Sequence, residues 1–436
     1  MRVLDWTTAA ADERRTALAR PAADARAEVH AQVTEIIHAV RAEGDAAVRR
    51  YTAKFGGAAT GELRVSAAEF RAARARLTAP QLAALERAVA NVTRFHEAQA
   101  SPPLSVETMP GVICERITRP ITSVGLYVPA GIAPLPSTAI MLAAPARVAG
   151  CAQRAIASSP DAEGNVHAAV LVAAEICGVD TVYKMGGAQA IAALAFGTES
   201  VRKVDKIFGP GSAWVTAAKQ IVASDPAGAA IDLPAGPSEV LIIADDSANP
   251  RFVAADLLAQ AEHDTLAQVI FVTPSRQLIA RVVGEIDSQL PSLSRRDIVR
   301  QSLSASRCIL VNDLDTAMAV SNEYAPEHLI IQTREPRALL AAVQSAGSVF
   351  LGEWSPESMG DYCSGTNHVL PTFGYARSYS GVSLLEFQKR ITVQELSAAG
   401  LNALGPTAVT LSEMEGLDAH GNAVRVRLSA LGSVGA

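Results

Sequence analysis

The sequence predicts an α/β protein: two Rossmann-like, incomplete parallel-sheet domains with a helical N-terminal segment and a helical C-terminal arm. Three observations carry this. Short apolar runs alternate with alanine-rich helical stretches from residue 123 onward, a spacing that implies parallel strands with helices on both faces. The alternation restarts after Pro234-Ala235-Gly236-Pro237, so it forms two sets. The flanking regions carry apolar residues at helical spacing instead. A chain of 436 residues also exceeds one ordinary domain.

The elements follow in order. Residues 25–50 and 80–100 read as helices, the latter with Leu82, Leu85, Val89 and Val92 on one face. A strand is expected over 111–118. In the first alternating set, strands are expected over 123–128, 154–158, 181–185 and 204–208, with helices over 138–149, 165–177, 188–196 and 213–224. The second set predicts strands over 239–244, 268–273, 307–311, 328–332 and 348–351. Beyond Gly381 the pattern is helical. The expected division is 1–24 as the N-terminal segment, 25–122 with 239–378 as one α/β domain, 123–238 as the other, and 379–436 as the arm.

Composition excludes several function classes. The net charge is −6 with no basic cluster, which argues against nucleic acid as a partner. Apolar runs fall far short of the roughly 20 residues needed to span a membrane. The start, Met1-Arg2-Val3-Leu4-Asp5, lacks the apolar stretch of a signal peptide. Five cysteines without CxxC spacing suit neither a disulfide framework nor a thiolate zinc knuckle. Together these predict a soluble, cytoplasmic protein.

Two glycine-rich turns follow strands and open helices, Met185-Gly186-Gly187-Ala188-Gln189 and Phe208-Gly209-Pro210-Gly211-Ser212-Ala213-Trp214. Small residues there let a phosphate approach a helix N-terminus. Neither is a full dinucleotide fingerprint, since Trp214 stands where a third glycine would be. A tight turn without a ligand remains an equal reading.

Polar chemistry concentrates further on. Asn249 and Pro250 suit the start of a helix whose Phe252, Ala255 and Leu258 face a core. The same helix presents Gln260 and His263, three residues apart on one face. With Asp361, these side chains suit a borderline divalent ion, zinc first. Glu327 and His328 stand side by side at a strand entry and offer two proton-transfer groups. Glu262 fits an outer-shell partner. Cys114, Cys151, Cys177 and Cys308 read as packing residues, which leaves Cys363 as the one nucleophile to weigh.

Longer stretches carry a resemblance. They are Val124-Gly125-Leu126-Tyr127-Val128-Pro129, the run 186–197, Pro234-Ala235-Gly236-Pro237-Ser238-Glu239-Val240, Leu257-Leu258-Ala259-Gln260-Ala261-Glu262-His263 and the run 326–333. Trp354-Ser355-Pro356-Glu357-Ser358 and the run 364–372 complete the set. In this order they resemble the histidinol dehydrogenase family over nearly the whole chain.

The resemblance implies a homodimer with shared active sites and one zinc ion per subunit. Its expected reaction is the oxidation of L-histidinol to L-histidinaldehyde and then L-histidine, the last steps of histidine biosynthesis, with two NAD molecules used in turn. It places zinc on Gln260, His263 and Asp361 of one subunit and on His420 from the dimer-exchanged arm of the other. Those four, with Ser238, His328, His368 and Glu415, are expected to touch substrate. His328 corresponds to the base that takes the hydroxyl proton, and Glu327 to the base that activates water. Tyr127, Gln189 and Ser212, in an NAD-binding domain over 123–238, correspond to NAD contacts. The family commonly carries asparagine at position 212. A dehydrogenase of another amino alcohol, a zinc hydrolase using Glu327, and a non-catalytic binding module are the alternatives.

Overall fold

Two all-parallel sheets form, as two sets of alternating strands and helices require. The structure, a computed structural model, describes residues 1–20, 26–58, 61–130, 133–234 and 236–434. The chain divides into two units, Met1–Gln99 with Ile121–Phe387 and Ala100–Pro120 with Gln388–Ala436.

The first unit holds both parallel sheets. The six-stranded sheet runs Arg2–Asp5, Arg307–Leu310, Gln268–Thr273, Glu239–Ala244, His328–Gln332, Ser348–Leu351. The five-stranded sheet runs Thr181–Lys184, Gln153–Ser158, Ser123–Val128, Lys206–Phe208, Ala230–Ile231. Central strands such as Glu239–Ala244 and Ser123–Val128 are buried along their whole length. Their sequences are accordingly continuous apolar runs, because helices cover both faces of a parallel sheet. Helices Arg26–Glu43 and Asp45–Lys54 lie against the helices Gly187–Phe196 and Ala213–Ser224 of the five-stranded layer. The single helix expected over 25–50 is split at Gly44, whose φ of +54° is a left-handed conformation that glycine adopts without a Cβ penalty.

Most strands fall where expected; Ala230–Ile231 is a short addition at one edge of the five-stranded sheet, and three longer ones stand out. Arg2–Asp5 adds an edge strand ahead of the helix Ala11–Leu18. In the second unit, Gln388–Leu396 and Leu104–Met109 flank Val112–Pro120 in an antiparallel sheet. The helical pattern expected beyond Gly381 therefore begins with a strand. Its residues are mostly polar and exposed, so local periodicity is weak and the long-range pairing with Val112–Pro120 decides. The helices Ala398–Glu415 and Asp418–Val434 then pack on one another.

One buried ion pair shapes the turn after Lys206–Phe208. Lys219 Nζ donates to the carbonyl of Gly209 at 2.8 Å and to Asp232, while Asp232 Oδ2 accepts the Gly209 N–H at 2.7 Å. The side chains of both charged residues are almost wholly enclosed. Removing one partner of such a pair leaves an uncompensated charge, a loss of about 3–5 kcal/mol. Lys219→Met should therefore lower the urea midpoint followed by circular dichroism, and adding Asp232→Leu should recover most of the loss.

Candidate active site

The polar cluster gathers at the amino edge of the six-stranded sheet. His328 and Glu239 are the first residues of neighbouring parallel strands, with His328 opposite Val240. His328 Nδ1 lies 3.1 Å from the Glu239 carbonyl oxygen and 3.1 Å from Gln260 Nε2. The carbonyl only accepts and the Gln260 amide nitrogen only donates, so the two contacts compete for Nδ1; the tautomer with its proton on the carbonyl bond leaves Nε2 as the free nitrogen. Nε2 lies 3.5 Å from Asp361 Oδ1. Glu327 Oε2 accepts the Glu239 N–H at 2.8 Å and stands 3.6 Å from His328 Nδ1.

The helix Pro250–Ala261 delivers Gln260. Asn249 caps it through the Arg251 N–H at 3.0 Å, and Pro250 occupies the first turn, as the sequence predicts. Its core face differs from expectation. Val253, Ala254, Leu257 and Leu258 are buried, whereas Ala255 is exposed and Phe252 packs instead beside Trp354 at 5.8 Å between ring centroids. His263 lies just beyond the helix rather than on it. Asp264 accepts the Leu266 N–H at 2.8 Å and turns the chain away, while the His263 N–H still bonds the Gln260 carbonyl at 3.2 Å. The spacing of the pair survives. His263 Nδ1 lies 3.3 Å from Ser238 Oγ.

The loop after the helix Glu357–Tyr362 closes the cluster. His368 Nε2 lies 3.2 Å from Thr138 Oγ1, and Asn367 donates to the Met141 carbonyl at 2.7 Å. The loop is thereby tied to the helix Pro136–Ala149 of the five-stranded layer. Ser238, Gln260, His263, Glu327, His328, Asp361 and His368 all belong to this one neighbourhood.

Charge is concentrated and enclosed. Burial raises the Glu327 pKa to about 8, with Glu239 and Asp361 adding to it and His328 opposing. Burial works against a charged His328, but Glu357, Glu327 and Asp361 outweigh it and hold its proton affinity well above that of an ordinary imidazole. Asp361 is pulled below the usual carboxylate range because His328, His368 and His263 outweigh its burial. Burial lowers the pKa of both His263 and His368, with Asp361 pulling the other way. Although His263 reaches the surface, the protein packed around its ring decides the direction.

Glu357 is the residue that motif reading left without a role. It is almost fully buried, and its Oε2 has no hydrogen-bond partner. Ligand atoms of His328, Glu357 and Asp361 lie within 4.8 Å of one another. The available signal was an acid one residue past Pro356, at the start of a short helix that also bears Asp361. Gln260 Oε1 and Asp361 Oδ1 are likewise buried without a hydrogen bond, the latter having only the His328 Nε2 contact at 3.5 Å.

At the carboxyl edge of the five-stranded sheet lie the two glycine turns. The Tyr127 hydroxyl accepts the Gly187 N–H at 3.0 Å, and Gln189 is buried with its Oε1 unpartnered. Gly209 adopts φ +123°, and a Cβ there would fall 2.2 Å from the Tyr127 carbonyl oxygen. Ser212 precedes the helix Ala213–Ser224, is exposed, and makes no side-chain capping bond.

Two further candidates lie on the second unit. Glu415 ends one helix and His420 opens the next, across the turn at Gly416 with φ +70°, and both side chains are exposed. Burial raises the thiol pKa of Cys151 and Cys308 to about 11 and of Cys177 to about 12, in keeping with packing roles. Cys114 is half-buried in its strand. Cys363 is half-buried and packs on the apolar core around Val89 and Val92.

A family model described as histidinol dehydrogenase matches residues 18–428. The chain belongs to the histidinol dehydrogenase family. Proteins of that name from Aliivibrio fischeri and Xanthomonas campestris pv. campestris are 53% and 55% identical to it. The alignments cover 99% of this chain with 97% of the first, and 98% with 99% of the second. A crystal structure of histidinol dehydrogenase from Elizabethkingia anophelis matches with a TM-score of 0.94 at 44% identity, covering 99% of both chains. This family member is thus an oxidoreductase. Among the described residues no helix is long and apolar enough to cross a membrane.

One buried acid behind this polar cluster gives a stability signature. Asp256 lies one turn before Gln260, and its Oδ2 accepts Gln332 Nε2 at 2.7 Å. Burial raises its pKa to about 7, against the pull of that bond. The folded state thus binds this proton more tightly than the unfolded chain, so stability falls as pH rises from about 4 to 7. Asp256→Asn removes the titration. Its urea midpoint, relative to the parent, should rise between pH 5 and 7.5, by up to about 2.5 kcal/mol in unfolding free energy.

Proposed function

We propose that this family member oxidises L-histidinol to L-histidine through L-histidinaldehyde, using zinc and two NAD molecules in sequence, as the last steps of histidine biosynthesis in the cytoplasm. The observation that carries this reading is the enclosed pair Glu327 and His328. Two proton-transfer groups sit 3.6 Å apart, both held by the main chain of Glu239. A two-stage oxidation needs two such groups.

In the first stage His328 Nε2 takes the hydroxyl proton as a hydride leaves the carbinol carbon for NAD, giving aldehyde and NADH. In the second, Glu327 takes a proton from water as its oxygen adds to the aldehyde carbon, while the aldehyde oxygen takes back the proton His328 gained in the first stage, forming a hydrate and leaving His328 free. His328 then takes a hydrate hydroxyl proton as a second hydride leaves for a fresh NAD, giving the acid. No cysteine adduct is required, in keeping with the place of Cys363 against the core.

The cluster suits a divalent cation. Three enclosed carboxylates, Glu327, Glu357 and Asp361, surround one imidazole, and buried oxygens of Gln260, Glu357 and Asp361 accept no hydrogen bond. In this reading Gln260, His263 and Asp361, with His420 of the partner subunit, hold one zinc ion per subunit. When bound, zinc supplies a fixed anchor for the imidazole and amino group of the substrate. His328, although within 4.8 Å of Glu357 and Asp361, stays free, because a coordinated nitrogen cannot accept a proton. Offsetting the carboxylate charge also brings its proton affinity back toward the range a base needs at neutral pH. Ser238, His368 and Glu415 complete the substrate contacts.

NAD is assigned to the turns of the 123–238 domain. The unpartnered Gln189 Oε1 and the Tyr127 hydroxyl beside the Gly187 N–H suit its polar groups. Ser212 offers a hydroxyl but no amide donor. In this reading the chain acts as a homodimer with shared sites, His420 being supplied by the arm of the other subunit.

Glu327→Gln should slow NADH formation from L-histidinaldehyde by about 100-fold and from L-histidinol far less. Equal losses in both stages would remove it as the water base. His420→Asn should release metal on dialysis, and mixing it with an Asp361→Asn variant should restore activity through heterodimers. Absence of rescue would place both residues in one chain's site.

A further inference from the structure

Glu239 holds both proposed bases through its main chain, and its own side chain is held in turn. Its N–H donates to Glu327 and its carbonyl faces His328 Nδ1. Its carboxylate accepts Arg20 Nε at 2.5 Å, Arg20 Nη2 at 2.9 Å and the Phe373 N–H at 2.8 Å. Arg20 also donates from Nη2 to the Tyr324 carbonyl at 2.8 Å, and its guanidinium sits 4.0 Å over the Tyr324 ring. The chain then passes through Ala325, at φ +54°, into Pro326 and the two bases. Arg20 therefore grips both segments that set the site: the strand entry bearing Glu239 and the helix end leading to Glu327. The pair is well enclosed, with side-chain exposures of 13% and 3%.

We infer that Arg20 and Glu239 are a positioning pair for Glu327 and His328, and that this pair sets the rate of the proton transfers. The inference rests on the catalytic roles proposed above for the two bases. A guanidinium suits the task where an ammonium does not. It meets both carboxylate oxygens in one plane while its face stacks on Tyr324. Glu239 itself never meets substrate in this arrangement. Its side chain acts by fixing the peptide groups on either side of it, and displacement of a base by about 1 Å costs up to about 100-fold in rate.

The test measures kcat and KM for L-histidinol and NAD on metal-loaded enzyme, with folded sites counted by bound zinc and by NAD titration. Arg20→Ala and Glu239→Gln should lose about 10- to 100-fold in kcat per folded site, with both KM values within about threefold of the parent. Guanidinium chloride at concentrations well below unfolding should restore kcat to Arg20→Ala, whereas sodium chloride should not. A purely structural role predicts fewer folded sites with unchanged kcat per site and no rescue, and that result would overturn the inference. Should Arg20→Ala fail to fold, Arg20→Lys decides by the same kcat criterion, since it keeps the charge and loses the fork. His328→Asn and Glu327→Gln run in parallel. Full activity in those two would overturn the catalytic reading itself, whereas their loss beside an unaffected Arg20 series would overturn only the positioning role.

Discussion

Everything at the site depends on the parallel pairing of Glu239–Ala244 with His328–Gln332 in the middle of the six-stranded sheet. The register sets His328 opposite Val240, which brings the peptide groups of Glu239 alongside two side chains from a distant part of the chain. Both strands are buried on both faces, so neither can slide without exposing a run of valine, leucine and isoleucine. The placement of the His328 ring against the Glu239 carbonyl is therefore a property of sheet register as much as of local chemistry. A one-residue slip would turn the imidazole to the other face.

The two sheets contribute opposite edges. The glycine turns with Tyr127 and Gln189 lie at the carboxyl edge of one, the usual place for ligands in open parallel sheets. Glu327, His328, Ser238 and Asp361 gather at the amino edge of the other, where helix C-termini and loops add partial negative charge to the carboxylates already there. An anionic cofactor suits the first environment and a cation the second. The division of labour is electrostatic before it is chemical.

Much of this was legible in the sequence, for definite reasons. Doubly covered strands write themselves as unbroken apolar runs, so Glu239–Ala244 and Gln268–Thr273 are visible from residue types alone. Asn249 and Pro250 announce their helix because each fills a specific role in the first turn. Gln388–Leu396 is different. It is polar, exposed and paired with residues far away, so no local pattern distinguishes it. Ala255 and Phe252 misled because a helix with buried residues on most sides leaves its least buried face ambiguous. Glu357 was hidden for another reason: a glutamate after proline looks like an ordinary helix start, and only burial beside His328 and Asp361 gives it meaning.

The strand Arg2–Asp5 and the Arg20 clamp carry a consequence for how the molecule is made. Arg2–Asp5 joins the sheet through Arg307–Leu310, and Arg20 meets Glu239 across a sequence separation of 219. On a ribosome, this stretch emerges long before the strands that receive it. Leu4, Trp6, Ala17 and Leu18, all buried in the finished fold, must wait in the open until most of the six-stranded sheet exists. Contacts of such range are slow to form, and unpaired apolar segments invite wrong partners in the interval. The segment closest to the head of the chain is thus among the last to find its place, and the two proposed bases are not braced until it does.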